Sequence, residues 1–424
     1  MRASACPASG AASTAPTRSA RTVASIPAVP DLLPAAPAYG TRSVADVLSS
    51  AAAVLGVPGY ENRLDLPAAR RVVVVMVDGL GLSLLRKRGG HAPFLKGFLP
   101  AARSLSASFP TTTVASLASL GTGLPPGRHG LVGYDVLDPQ QDKVVNMLGS
   151  WDPGVDPLRW QPYPTVLEKA AEHIPVTTVS LPRFADSALT RAALRGGTFI
   201  PASGVHARVS AAVDALAGAD RMLMYLYWNE LDKAGHRYGA ASPEWGNELE
   251  ELDSALKRLV ARVPSGTLVV LTADHGMVDV PVSQRFDFST RPELIDGVRH
   301  TAGEPRMVHL YLEPEAGEAA LAGLKAAWQA AYGTRAWVFT RDEAVRAGYF
   351  GPEVDAAVLP RIGNLMVAAR EPIALFDGRR APASAMEVTG QHGSLTKAEC
   401  EVPLLVLARP ETRKAKSSTA QGGK

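Results

Sequence analysis

The segment RVVVVMVDG is the tightest constraint on how this 424-residue chain can fold. An unbroken, mostly β-branched run fits a strand covered on both faces, as in a parallel sheet with helices on either side; a strand with one wet face would alternate. The run over residues 72–77 is too short to cross a bilayer and ends at once in Asp78 and Gly79, so it predicts a buried strand with a carboxylate at its C-terminal edge. Ligands of open parallel sheets bind at the carboxyl ends of the strands, which makes Asp78 a candidate site residue.

The rest of the chain alternates in the same way. ADVLSSAAAVLG and GLSLLRKRG read as helices, SLSASFP as strand or loop, and TTTVASLASLGTG as a helix closed by glycine. Thr165 and Glu168 form a capping box before a helix that leads into the strand VTTVSL. RMLMYLYWN is another buried strand, residues 242–263 carry a helical stripe of Leu249, Leu252, Leu256, Leu259 and Val260, and TLVVLTAD is a strand ending at Asp274. The predicted class is therefore α/β, a mainly parallel sheet with helices on both faces. Ligand-type residues stop after residue 278 while strand and helix signals continue, so a small α+β cap inserted at about 285–385 is expected within a domain spanning 43–408. EVPLLVLARP reads as a last strand. Residues 1–42, rich in Ala, Ser, Thr, Pro and Arg, and the polar tail 409–424 are expected to be disordered.

With 46% hydrophobic and 20% charged residues the composition is that of an ordinary globular protein. Much of the basic excess sits at the two ends, and no cluster of Lys and Arg interleaved with aromatics marks a nucleic-acid surface. No stretch has the length of a secretory signal or a membrane span, so a cytoplasmic protein without membrane contact is expected. Oligomeric state leaves no trace in the sequence. The cysteines are Cys6 and Cys400, too few for a thiolate metal site, so any metal must use carboxylates, imidazoles and hydroxyls.

Such groups occur in five segments. Asp78 and Asp274 follow strands directly. Asp232 and His236 in LDKAGHRYG stand at i and i+4, so one helical turn points both at one ion. His275 follows Asp274 in TADHG, and His392 lies between glycines in GQHGS. Each alone is as readily a helix cap, a surface pair or a turn residue; together they supply ligands for two divalent cations. Imidazole mixed with carboxylate suits zinc first and manganese or iron next. Two such ions about 4 Å apart would clamp the attacking and leaving oxygens of an in-line phosphoryl displacement. FPTTTVASL adds hydroxyls at the start of a helix, where backbone N–H groups favour an anion. Thr111, Thr112 and Thr113 compete for that role, Thr111 or Thr112 as N-cap.

With these residues in place the chain resembles the alkaline phosphatase superfamily, and within it the nucleotide pyrophosphatase/phosphodiesterase branch of type I phosphodiesterases, over roughly residues 72–406. The resemblance implies that Thr113 is the nucleophile, that Asp232, His236 and His392 hold one zinc, and that Asp78, Asp274, His275 and Thr113 hold the other. It implies hydrolysis of a phosphodiester or pyrophosphate bond in a small nucleotide-type phosphate ester, through a covalent phosphothreonine. Ser116 stands where the branch is expected to place an Asn that binds a phosphoryl oxygen, and is the candidate substrate-binding residue. A phosphomonoesterase or phosphonate hydrolase of the same superfamily is the alternative, and a non-catalytic metal-binding domain a remoter one. His129 is expected to hold a loop, His300 and Arg306 to be surface polar residues, and Tyr227 and Trp228 to pack in the core or stack on a substrate.

Overall fold

The computed structural model describes residues 33–149 and 151–410. The strands of its two larger sheets, in chain order, are β1 (Arg71–Val77), β2 (Arg103–Ser106), β3 (Val176–Ser180), β4 (Thr198–Pro201), β5 (Met222–Trp228), β6 (Thr267–Thr272), β7 (Val298–Glu304), β8 (Met307–Leu312), β9 (Ala336–Thr340), β10 (Leu365–Ala369) and β11 (Glu401–Ala408). The helices the site depends on are α1 (Ala45–Val54), α2 (Thr113–Thr122), α3 (Ala188–Ala193), α4 (Glu230–Tyr238), α5 (Pro243–Arg262) and α6 (Glu318–Tyr332). Seven strands form the main sheet in the order β2-β11-β6-β1-β5-β3-β4. β1 runs parallel to both β5 and β6, and β3 parallel to β4 and β5; β11 returns antiparallel between β6 and β2.

The VVVVMV run behaves as its composition predicts: every side chain from Val72 to Val77 is inaccessible to solvent. At roughly 1.5–3 kcal/mol for each fully buried large aliphatic side chain, this run contributes strongly to holding the centre of the sheet. The amphipathic stripe on α5 buries Trp245, Leu249, Leu252, Leu256 and Leu259, and the helix starts where the Ser242 hydroxyl accepts the Trp245 N–H. The Thr165/Glu168 capping box forms in full.

Residues 298–369 build a second sheet, antiparallel, in the order β7-β8-β10-β9. It has an apolar cluster of its own that includes Leu310, Trp328, Leu365 and Ile373, with α6 supplying Trp328, whose indole N–H donates to the Leu294 carbonyl. Residues 33–42 differ from the expectation of disorder, because they are tied to the core. The Tyr39 hydroxyl donates to the Tyr349 carbonyl and accepts the Phe109 N–H, and Tyr349 in turn donates to the Pro34 carbonyl. Aromatic contacts of such long sequence separation are invisible to a reading by local composition. The rest of the two expected disordered ends, 1–32 and 411–424, lies outside the described residues. Among the described residues no helix is long and apolar enough to cross a membrane.

Candidate metal centre and active site

Strand register places the carboxylates. Val77 pairs with Trp228 and Met76 with Thr272, so Asp78 and Asp274, each two residues past Met76 and Thr272, come level on neighbouring strand ends. Asp232 is four residues beyond Trp228, in the first turn of α4, with His236 one turn later. His392 arrives from a loop after the second sheet. The structure thus gathers two triads, Asp78/Asp274/His275 and Asp232/His236/His392, each with ligand-type atoms within 4.8 Å of one another. The two are joined by the His275 and His392 rings, stacked with centroids 3.7 Å apart.

The imidazoles are oriented for metal. His236 Nδ1 lies 2.8 Å from the Gly390 carbonyl, His275 Nδ1 2.9 Å from that of Gly276, and His392 Nδ1 2.8 Å from that of Thr111. A carbonyl can only accept, so each ring carries its proton on Nδ1 and presents a bare Nε2 inward. Two buried carboxylate oxygens facing those nitrogens, Asp274 Oδ2 and Asp232 Oδ1, have no hydrogen-bond donor in the protein. Buried anionic atoms without partners, set among imidazole lone pairs, fit divalent cations and little else. With protein groups alone the cost shows in the proton affinities. Burial, then the neighbouring Asp274 and Asp232, pushes the Asp78 carboxyl well above its usual range, and burial pushes Asp274 up to about 7. Burial and the neighbouring His275 and His236 push His392 down. A pair of cations would oppose the two carboxyl shifts, and would favour the neutral His392 that ligation requires.

The three threonines separate cleanly. The Thr111 hydroxyl donates to the Ser394 carbonyl and accepts the Gly393 N–H, which fastens the His392 loop. Thr112 occupies the N-cap position of α2 without capping through its side chain. Thr113, the first residue of the helix, has its hydroxyl 3.4 Å from Asp78 Oδ1 and 3.2 Å from His275 Nε2. As the first residue of α2 it stands at a helix N-terminus, where free N–H groups favour an anion.

Ser116 does not join this arrangement. It is fully buried one turn into α2, its hydroxyl accepts the Ser108 N–H at 3.2 Å, and it is absent from the cavity wall, where Leu117 stands instead. A residue three after Thr113 on a helix leans to the packed side. His129 holds its loop as expected, between the Ser119 hydroxyl and the Leu131 N–H, with burial pushing it down to about 3. His300 pairs with Asp142. Arg306 is not a surface residue: fully buried, it makes two 2.8 Å bonds to the Glu399 carboxylate and further bonds to the Glu371 and Ile373 carbonyls, which satisfies a charge that burial would otherwise forbid. Trp228 packs in the core beneath Arg208, whereas the Tyr227 hydroxyl bonds Asp78 and lines the cavity.

A cavity of about 800 Å³ is lined by Thr113, Asp78 and the outer triad Asp232, His236 and His392. Reading from sequence missed Glu304, on β7, which lines this cavity beside Thr112. One carboxylate oxygen accepts the Tyr134 N–H, the other is buried without a donor, and burial pushes the group up to about 8. Nothing local in AGEPRM signals this, because the second sheet brings it to the nucleophile. Arg183 and Lys233 also line the cavity, as exposed cations.

The ligand-bearing segments meet backbone to backbone through glycines. A Cβ on Gly81 would lie 2.6 Å from Gly276 Cα, and one on Gly390 would lie 2.5 Å from the Gly235 carbonyl oxygen. A Cβ on Gly276 would collide with the Ala398 carbonyl, and one on Gly235 with the Met277 sulfur. There is no room for a side chain between the segments that carry Asp78, His236, His275 and His392.

Comparison with known proteins agrees with this geometry. The family model for type I phosphodiesterase / nucleotide pyrophosphatase matches residues 72–395. Bis(5'-adenosyl)-triphosphatase enpp4 of Mus musculus is 24% identical over 259 residues, 55% of this chain and 53% of that protein, so the chain spans about half the length of this curated relative. Among solved structures, an inactive murine ectonucleotide pyrophosphatase/phosphodiesterase 5 in complex with AMP superposes with a TM-score of 0.60 at 17% identity, covering 79% of this chain and 87% of that one. Phosphonoacetate hydrolase from Sinorhizobium meliloti, in complex with phosphonoacetate, gives 0.63 at 21% identity, with coverage of 82% and 92%. At these identities the two structures attest the shared fold.

Proposed function

Because the chain belongs to the type I phosphodiesterase/nucleotide pyrophosphatase family of the alkaline phosphatase superfamily, we propose that it hydrolyses a phosphodiester or pyrophosphate bond of a small nucleotide-type phosphate ester, with Thr113 as nucleophile. The observation that carries the reading is the position of the Thr113 hydroxyl, 3.4 Å from Asp78 and 3.2 Å from His275, within one of two ligand triads whose imidazoles all present Nε2. The AMP held by the murine structural neighbour supports a nucleotide-type substrate.

Asp78, Asp274 and His275 would hold one divalent cation and Asp232, His236 and His392 the other, zinc being the metal best matched to this donor set. Bound there, the pair would lower the pKa of a nearby hydroxyl or water and neutralise charge on attacking and leaving oxygens. The chain's own part is positional. Asp78 and His275 hold the Thr113 oxygen in line, and the start of α2 offers N–H groups to the non-bridging oxygens. In the first displacement the Thr113 Oγ–P bond forms as the ester P–O bond breaks, and the departing alcohol takes up a proton. In the second, water replaces Oγ on phosphorus, which returns the threonine and releases the phosphate product.

A second reading, a phosphomonoesterase or phosphonate hydrolase, is favoured by Arg183 and Lys233, which give the cavity the positive charge a dianionic substrate needs. The test is zinc-dependent turnover of bis-p-nitrophenyl phosphate against p-nitrophenyl phosphate, with Thr113→Ala as control. Diester preference lost in the variant is the expected result. Monoester preference moves the assignment to the phosphomonoesterase, and no turnover of either by zinc-loaded protein leaves a narrower substrate such as a phosphonate, or a non-catalytic metal site.

A further inference from the structure

We propose that the part of the cavity below the strand ends, between α2, α3 and strands β3, β4 and β5, is a subsite for a neutral aromatic ester group that carries a polar atom at its far end. The proposal rests on the reading that phosphorus sits at Thr113.

Two observations locate the subsite. Leu117 follows Thr113 by one helical turn on the same face of α2, so the cavity continues along the helix from the reacting hydroxyl. On the sheet side, Tyr225 precedes Tyr227 by two residues on β5, and the two rings lie near-parallel with centroids 6.2 Å apart. Tyr227 touches Asp78, so Tyr225 stands one step further from the metal ligands and deeper in the sheet.

The chemistry of this region differs from the rest of the cavity. Its walls include Leu117, Leu189, Leu194 and Phe199, and beside Ser180 and Thr190 it holds the hydroxyls of Thr178 and Tyr225. Thr178 and Tyr225 are paired across β3 and β5, so both side chains face the same way. They are 4% and 2% exposed, and neither hydroxyl has a hydrogen-bond partner in the protein. Buried hydroxyls are ordinarily satisfied, and leaving two adjacent ones unpaired at the end of an apolar passage is costly unless something enters to meet them. None of the charged side chains that line the cavity is carried by α2, α3, β3, β4 or β5; Arg183, Lys233, Asp232 and Glu304 come from other segments. A charged ester group in this region would be desolvated without a counter-ion, so the occupant is neutral. Space is ample: a cavity of roughly 150 Å³ admits benzene, and this one is about 800 Å³.

The probes are methylphosphonate, benzylphosphonate and 4-hydroxybenzylphosphonate, titrated calorimetrically into the zinc-loaded full chain. The ratio of affinities is read, so that the metal centre cancels. Benzylphosphonate should bind at least about tenfold more tightly than methylphosphonate, and the ring hydroxyl should add about fivefold. Thr178→Val and Tyr225→Phe, which keep the side-chain shape, should each erase the hydroxyl increment and keep the ring increment. Leu194→Trp, which fills the passage, should erase both; if it does not fold, the two isosteric variants decide. Three ligands within twofold of each other on the unaltered chain, or a hydroxyl increment that survives in the Thr178→Val/Tyr225→Phe double variant, overturns the subsite. Diester turnover is assayed on the same samples. An intact affinity ladder without turnover overturns the catalytic reading alone, and turnover without the ladder overturns the subsite alone.

Discussion

Asp78, Asp274 and His275 sit on the ends of adjacent central strands with side chains 5%, 0% and 0% exposed, whereas Asp232, His236 and His392 come from a helical turn and a glycine-flanked loop and are 14%, 34% and 10% exposed. The donor sets differ by the exchange of one carboxylate for an imidazole, and the solvent access differs as well. Without a cation the outer triad can be hydrated, but the inner triad holds two buried carboxylates that repel each other. A cation at the inner triad therefore relieves a larger penalty, and should bind more tightly and exchange more slowly than one at the outer triad.

The largest expected effect follows from placing the chemistry on the inner triad. Thr113→Ala should lower kcat for bis-p-nitrophenyl phosphate at least about a thousandfold with both cations retained. A variant that keeps a tenth of the activity would detach the reaction from that triad. Next, the outer triad depends on a scaffold. Glu399 accepts the Ser394 N–H behind His392 and neutralises Arg306, so Glu399→Gln, which leaves that guanidinium buried without its counter-charge, should cost about 3–5 kcal/mol in urea unfolding. A loss below about 1 kcal/mol would mean the loop is held by other bonds, Thr111 first among them.

Chelation separates the two triads by rate. Atomic absorption after timed exposure to a chelator should show one zinc leaving early and one late, with the early phase alone surviving in Asp274→Asn. Equal rates would erase the contrast. A pH titration sharpens it. Asp274 has a folded-state pKa of about 7, above its unfolded value, so the metal-free protein binds more protons folded than unfolded between roughly pH 4 and 7. Its stabilising contribution is present below the unfolded pKa and is lost as pH rises to about 7. Zinc-loaded protein should lack that decline, and a metal-free protein whose thermal midpoint climbs over the same window would contradict the burial argument. The smallest effect belongs to Ser116, where Ser116→Ala should cost about 1 kcal/mol of stability for the lost Ser108 bond and leave KM unchanged.

The frame of the molecule was legible because its signals are local. A β-branched run, a helical stripe on 242–263 and a capping box at Thr165 each declare an element within a few residues. The six carboxylate and imidazole positions were legible because each is attached to such a signal, at a strand end, one helical turn or a glycine pair. Which hydroxyl meets them was settled by the resemblance and not by the local pattern, since TTT is equally a capping motif. The residues that escaped reading depend on distant partners. Arg306 is buried because Glu399 comes to it, Glu304 reaches the cavity through the second sheet, and 33–42 is held by Tyr349, Phe109 and Ser106. Ser116 was misplaced for a helical reason: position i+3 from Thr113 faces the core, and i+4 faces the cavity.

The glycines packed between the ligand segments carry a consequence for how such a site changes over generations. Gly81, Gly235, Gly276 and Gly390 contribute no chemistry, yet a methyl added at Gly81 or Gly390 would meet the backbone of another ligand segment, at Gly276 the Ala398 carbonyl and at Gly235 the Met277 sulfur. A lineage could exchange an aspartate for a histidine and still bind a cation, but could hardly tolerate alanine at these four positions. In a saturation mutagenesis screen they should rank with the ligands in intolerance, so that the heritable imprint of the centre is as much a pattern of omitted side chains as of present ones.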